Sequence, residues 1–276
     1  MINYPSIDPV LLELGPLKIH WYGLMYLCAF ASAWWLGKRR AATSNGLIAP
    51  QQVDDLIFYG AIGVVLGGRI GSVVFYNMDS FLTNPLYLFK IWQGGMSFHG
   101  GFLGVLVAME LYRRKLGCSF FQLTDFIAPL VPLGLAAGRL GNFINAELWG
   151  GPSTLPWAMK LSCERFPPQY YSDFAGALCA QPRHPSMLYE MILEGFVLFA
   201  LLWVYSARPR PVMAVSGLFL LGYGLFRSLV ELIRLPDAHI GYVMGTDWLT
   251  RGMTLSIPML AIGLLFIAMA YKKREN

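Results

Sequence analysis

Thirteen residues, Gly138-Arg139-Leu140-Gly141-Asn142-Phe143-Ile144-Asn145-Ala146-Glu147-Leu148-Trp149-Gly150, place an arginine, two asparagines and a glutamate at the end of an apolar run. Charged groups at membrane depth are expensive, so they line a protein interior or mark a substrate path. Further on, Tyr223, Arg227, Glu231 and Arg234 stand at i, i+4, i+8 and i+11, one face of a helix. Arg227 and Glu231 can pair along it. One reading of this face is an ion pair that ties helices together. The other starts from its charge: two arginines against one glutamate, with Arg139 and Arg69 adding to the excess, require an external anion. Guanidinium forks suit phosphate, which lipid head groups supply.

His99 lies in Gly94-Gly95-Met96-Ser97-Phe98-His99-Gly100-Gly101. It reads either as a hydrogen-bonded histidine at a helix start or as a general base, since an imidazole with a pKa of about 6.5 takes a proton at neutral pH. In Arg183-His184-Pro185-Ser186, Ser186 is expected to cap the following helix and Pro185 to fit its first turn. Glu190 and Glu194 follow at i, i+4, placed to pair with the arginines or to arrange the substrate path. No CxxC, HExxH or glycine-rich phosphate loop occurs, so zinc-protease and nucleotide chemistry have no support, and no metal or other cofactor is implied.

The elements that must position these residues are membrane spans. The chain is 56% hydrophobic and 13% charged, where a soluble domain is about 25% charged, and its mean hydropathy is +0.50. Its 276 residues allow about six to eight spans of ~20 residues. Residues 1–276 read as one polytopic, all-α membrane domain, with 147–184 as an extramembrane insertion. Seven spans are expected at about 19–37, 53–76, 96–112, 121–144, 185–205, 215–233 and 253–271, the fourth containing Pro129 and Pro132. The first eighteen residues, with Asp8 and Glu13 and no basic start, do not read as a cleavable signal peptide; they are expected to lie in the interface as a short amphipathic stretch.

Basic clusters close spans one, three, five and seven: Lys38-Arg39-Arg40, Arg113-Arg114-Lys115, Arg208-Pro209-Arg210 and Lys272-Lys273-Arg274. All four fall on one side if the N-terminus is outside and the C-terminus cytoplasmic, as the excess of basic residues in cytoplasmic loops requires. Trp21, Tyr22, Trp92, Trp149, Trp157 and Trp248 then form an outer aromatic belt, and Tyr22, Arg69, His99, Arg139, Asn142, His184, Arg227 and Arg234 all come out on the outer side with the other histidines, His20 and His239. An outward-facing polar site built from six spans is expected. The basic residues sit at span ends, which argues against a nucleic-acid partner. Cys163 and Cys179 share the outer segment, and a disulfide between them is an open question.

The chain resembles the prolipoprotein diacylglyceryl transferase family. The likeness runs from His20-Trp21-Tyr22-Gly23-Leu24-Met25-Tyr26 to the last span, through Gly67-Gly68-Arg69-Ile70-Gly71, Gly95 to Gly101, the Gly138–Gly150 signature, Arg183-His184-Pro185-Ser186 and Tyr223-Gly224 with Arg227, Glu231 and Arg234. Met187 and Met253 stand where the family commonly has glutamine. The resemblance implies a seven-span enzyme of the bacterial inner membrane with its active site at the periplasmic leaflet. It implies transfer of the diacylglyceryl group of phosphatidylglycerol to the lipobox cysteine of a preprolipoprotein, with a thioether formed and glycerol phosphate released. Arg139 and Arg227 match the family's essential arginines. Its important histidine, asparagine and glutamates match His99, Asn142, Glu147 and Glu231, and its tyrosine near the first span matches Tyr22. Tyr223, Arg234, Gly150 and Arg69 complete the expected substrate-binding set.

The chemistry suits these residues. A thiol needs a base or a positive field, and His99 is the candidate base. Charge grows on the leaving phosphate, where Arg139 and Arg227 would meet it. Two substrates that arrive anchored in the membrane predict a cavity open sideways to lipid. A transporter or scramblase is the first rival, but it favours a midplane site and repeated halves, and neither is visible. Another lipid-modifying enzyme would bring a histidine–aspartate pair or a serine nucleophile, and a structural assembly factor would not need converging arginines.

Overall fold

Long apolar runs closed by basic clusters fold as helices, and the computed structural model is helical at each of the seven expected positions, in one helix at five of them and in shorter helical pieces at the fourth and fifth. The structure describes residues 1–15, 17–43, 47–90, 94–166, 172–173, 176–236 and 241–275. Trp92 and His239, expected at the outer boundary, lie outside the described residues. Strands β1 (Ile2–Asn3), β2 (Val10–Leu14) and β3 (Leu17–His20) precede α1 (Trp21–Thr43), α2 (Pro50–Tyr76), the short α3 (Met78–Thr83), α4 (Phe98–Leu116), α5 (Phe120–Ile127) and α6 (Val131–Ile144). After β4 (Met159–Lys160), β5 (Ser172–Asp173) and β6 (Gly176–Ala177) come α7 (Ser186–Glu190), α8 (Leu198–Tyr205), α9 (Ala214–Glu231) and α10 (Arg251–Glu275).

Among the described residues, five helical stretches are long and apolar enough to cross a membrane: Pro50–Tyr76, Phe120–Ile144, Ser186–Tyr205, Ala214–Glu231 and Arg251–Lys272. The chain is a predominantly helical membrane protein. The helices at the first and third expected spans are present but more polar. Trp21, Tyr22, Tyr26, Trp34 and Trp35 lower the hydropathy of α1, and Glu110, Arg113, Arg114 and Lys115 crowd the end of α4.

The chain divides into two compact units, 33–126 and 1–32 with 127–276. In the first, α2 and α4 meet along glycines. A Cβ on Gly71 would fall 2.6 Å from the Gly100 Cα, and one on Gly63 would fall 2.6 Å from the Gly104 carbonyl oxygen. Such close approach is how membrane helices gain packing without a hydrophobic drive. Basic residues at the ends of α1 and α4 pair with the acidic start of α2, Lys38 with Asp54 at 2.9 Å and Lys115 with Asp55 at 2.8 Å.

In the second unit, α9 and α10 pack through Gly217, Gly224 and Gly263. The fourth span is not one regular helix. Pro129 and Pro132 remove two amide donors, and a 3-10 turn at Ala128–Leu130 separates α5 from α6. The fifth span is interrupted as well, by a π-helical segment Met191–Val197 between α7 and α8. The expectation of a wholly helical chain is corrected at the N-terminus. β2 and β3 form an antiparallel hairpin, and β1 pairs in parallel with β4 of the 147–184 segment. Tyr4 drives this: its ring packs edge-on against Phe143, Trp149 and Phe166. Its buried hydroxyl, whose pKa burial pushes up against the opposing pull of Arg165, donates to the carbonyls of Phe143 (2.8 Å) and Ile144 (3.0 Å).

Cys163 and Cys179 form a disulfide, with Cα atoms 5.1 Å apart. Alkylation of the unreduced, denatured protein is therefore expected to label Cys28 and Cys118 only; four labels would contradict the bond.

Candidate active site

Arg139 points from α6 into the second unit, and three elements meet it. Its Nε lies 3.1 Å from Glu190 Oε2, and its Nη2 lies 3.3 Å from Glu194 Oε2. Glu190 is the last residue of α7 and Glu194 lies in the π segment; both are fully buried. From α9, Arg227 pairs with Glu190 and Glu231, and Arg234, just past the end of α9, lies 3.3 Å from Glu190 and 3.6 Å from Glu231. Packing explains the convergence. A Cβ on Gly195 would fall 2.5 Å from the Ala136 Cβ, so the π segment seats directly on α6, one turn from Arg139. Leu198 and Leu202 bury against Val215 with Ala128, holding the fifth and sixth spans together.

This geometry corrects the expected net positive face. Three arginines meet three glutamates, because Glu190 and Glu194 supply the carboxylates that the α9 pattern lacks. Their pairing with the arginines is one of the two roles expected for them. Removing either partner of such a buried pair is costly, since it strands the other charge.

The start of α10 supports Glu231. The Thr250 hydroxyl donates to its Oε2, and a Cβ on Gly252 would fall 2.5 Å from its carboxyl carbon. Gly252→Ala is thus expected to push Glu231 off Arg227 and lower activity about tenfold or more. Wild-type turnover by a folded variant would contradict this packing. Neither Thr250 nor Gly252 stands out in sequence, because their role depends on a helix start meeting a distant helix end.

The signature stretch leaves α6 through an unusual backbone. Ala146 (φ 57°) and Leu148 (φ 62°) adopt the left-handed conformation, at a cost of roughly 1–2 kcal/mol each for a residue with a Cβ. Surrounding contacts offset it: the Trp149 indole donates to the Ala146 carbonyl (3.0 Å) and the Ser186 hydroxyl to the Leu148 carbonyl (2.6 Å). Ser186 therefore does not cap α7, as expected from sequence. Pro185 occupies the cap position, with no side-chain cap bond, and Ser186 is turned to the signature stretch. Asn142 and Asn145 each donate to Glu147 at 3.1 Å. Gly150 has no room for a side chain: a Cβ would fall 2.7 Å from His184 Cβ and 2.9 Å from the Ile233 carbonyl oxygen. The Gly150 amide donates to the His184 carbonyl at 2.9 Å, and its backbone bridges Arg234. Arg183, fully buried, donates to the Leu178 carbonyl at 3.2 Å. The half-buried His184 imidazole, 3.2 Å from the Tyr189 hydroxyl, is held below its ordinary pKa by burial.

Tyr22 lies against Gly141, whose Cβ would meet its ring at 2.7 Å. Tyr223 stacks on Phe219 within the field of Glu194 and Arg139. The second unit thus unites Arg139, Arg227, Glu231 and Arg234, with Asn142, Glu147, Gly150, Tyr22 and Tyr223 on the same elements or packed against them. Arg69 and His99 belong to the other unit. Buried Arg69 engages all five of its donors with backbone carbonyls, among them Leu88 (2.9 Å) and Gly94 (2.6 Å), and its guanidinium lies over Tyr87. His99 is exposed as the second residue of α4, edge-on to Phe98. The two positions with methionine in place of glutamine are both buried: Met187 packs with Tyr4, Trp149 and Leu161, and Met253 follows Gly252 on α10.

Apolar helices around a buried arginine–glutamate cluster define a polytopic membrane protein with an internal polar site. The profile of the prolipoprotein diacylglyceryl transferase family matches residues 9–269. Similar proteins include the phosphatidylglycerol–prolipoprotein diacylglyceryl transferases of Methylococcus capsulatus (55% identical over 276 residues, all of both chains) and of Pseudomonas putida strain W619 (52%, all of this chain and 98% of the relative). That of Pseudomonas fluorescens is 51% identical over 99% of this chain and 96% of its own. The chain belongs to the prolipoprotein diacylglyceryl transferase family.

Proposed function

We propose that this protein transfers the diacylglyceryl group of phosphatidylglycerol to the lipobox cysteine thiol of preprolipoproteins, forming a thioether and releasing glycerol phosphate. The observation that carries the reading is the buried cluster in which Arg139 and Arg227 share Glu190. Two planar forks held side by side fit the two faces of a phosphodiester, and they stabilise the charge that grows as the carbon–oxygen bond breaks. Glu231 and Arg234 orient Arg227. Asn142, Glu147, Tyr22, Tyr223 and Gly150 form the walls that hold the head group, and His99 takes the thiol proton. Arg69 serves by holding the carbonyls of Tyr87, Leu88, Lys90, Gly94 and Gly95.

The protein acts in the bacterial inner membrane as one polytopic domain of seven spans, 1–276. Its N-terminus and the 147–184 insertion are periplasmic, its C-terminus is cytoplasmic and its site opens to the periplasmic leaflet and to lipid. Purified protein incubated with phosphatidylglycerol and a lipobox peptide is expected to release glycerol phosphate in step with loss of the free thiol. Release that does not depend on the thiol would favour a head-group hydrolase instead.

A further inference from the structure

With all six side chains charged, the cluster of Arg139, Arg227, Arg234, Glu190, Glu194 and Glu231 is neutral before any ligand enters. A phosphodiester brings one negative charge and competes with the carboxylates for the guanidinium groups. The three carboxylates are not equally placed to yield. Glu190 bridges all three arginines. Glu231 is held by Arg227, by Arg234 at 3.6 Å and by the Thr250 hydroxyl, and is wedged against Gly252. Glu194 has the weakest hold. One oxygen reaches Arg139 at 3.3 Å. The other, Oε1, is buried without a hydrogen-bond partner, as is Glu190 Oε2, and lies 4.0 Å from Arg227, so Glu194 is set apart by reaching no arginine closer than 3.3 Å. Glu194 also lies in the π segment, and such segments recur at functional sites, where they depart from regular helical packing.

We infer that Glu194 is an exchangeable counter-ion. In the resting protein it holds the place between Arg139 and Arg227 that the phosphate takes, and it returns to that place as glycerol phosphate departs. The resting carboxylate keeps the arginines from binding stray anions, and its return speeds product release. Glu194 is in this sense a positioning residue that competes with the substrate. The inference rests on the proposed function.

Glu194→Gln keeps the shape and removes the competing charge. Its expected signature is a split: the affinity for phosphatidylglycerol, measured by direct binding, rises about tenfold, glycerol phosphate inhibits more strongly by a similar factor, and kcat falls because release slows. A purely structural glutamate would give weaker binding and a lower melting temperature. Unchanged or weakened binding by a folded variant overturns the exchange. Should the variant not fold, infrared difference spectra of the wild type decide. Adding glycerol phosphate is expected to shift a carboxylate stretching band, and no carboxylate change overturns the exchange. Tighter binding without any transfer to a thiol would leave the exchange standing and remove the reaction proposed above.

Discussion

Glu190→Ala is expected to abolish transfer and to destabilise the protein by about 3–5 kcal/mol, the usual cost of stranding buried charges. Glu190 is fully buried and is the carboxylate shared by Arg139, Arg227 and Arg234. Without it, three guanidinium groups face two carboxylates, and the ties from α7 to α6 and α9 through this residue are lost. Glu190→Gln keeps the volume and should fold better, yet it leaves the same charge excess. Thermal unfolding in lipid nanodiscs together with transfer assays checks both variants. Near-wild-type stability and turnover in Glu190→Ala would mean that the cluster is not the organising centre of this unit.

Arg139→Lys and Arg227→Lys form the second pair of strong expectations. Each conserves charge, yet each should lower kcat/KM by roughly 100- to 1,000-fold, as removal of a transition-state donor does elsewhere, a loss of ~2.7–4 kcal/mol. The geometry gives the reason. Arg139 uses Nε toward Glu190 and Nη2 toward Glu194, two carboxylates at once. A lysine ammonium is a single point on a flexible stem and cannot hold both while also facing a phosphate. The comparison is made on folded protein with phosphatidylglycerol varied, so that KM and kcat separate. Activity within a few-fold of wild type for either lysine variant would contradict the fork.

Much of this architecture is legible in the chain because a membrane imposes strong rules on sequence. Length and hydropathy place helical structure at each of the seven expected positions, and the i, i+4, i+8 spacing of Tyr223, Arg227 and Glu231 gives one face of α9, whereas Arg234, expected on the same helix face, lies past the helix end and bridges Gly150. What escapes depends on contacts between distant segments. The charge balance of the site fails from α9 alone, since Glu190 and Glu194 lie on another span, and only their packing through Gly195 on Ala136 shows them facing Arg139. Local signals also mislead where tertiary contacts outbid them. Ser186 follows a proline and reads as a cap, but its hydroxyl finds the Leu148 carbonyl, freed by the left-handed turn of the signature stretch. The leucines near the N-terminus read as an interfacial stretch. What the sequence does not show there is the tie between distant segments, made by Tyr4 and by the pairing of β1 with β4 of the insertion. The π segment has no marker in Met191–Val197, because its cause lies in what the helix packs against.

The most direct test of the central claim is mass spectrometry of a lipobox peptide incubated with purified protein and phosphatidylglycerol of defined acyl chains. A gain of one diacylglyceryl group on the cysteine is expected, with the mass following the chains supplied, and no gain with Arg139→Ala. An unmodified peptide from folded, lipid-bound wild type, or full modification by Arg139→Ala, would contradict that claim.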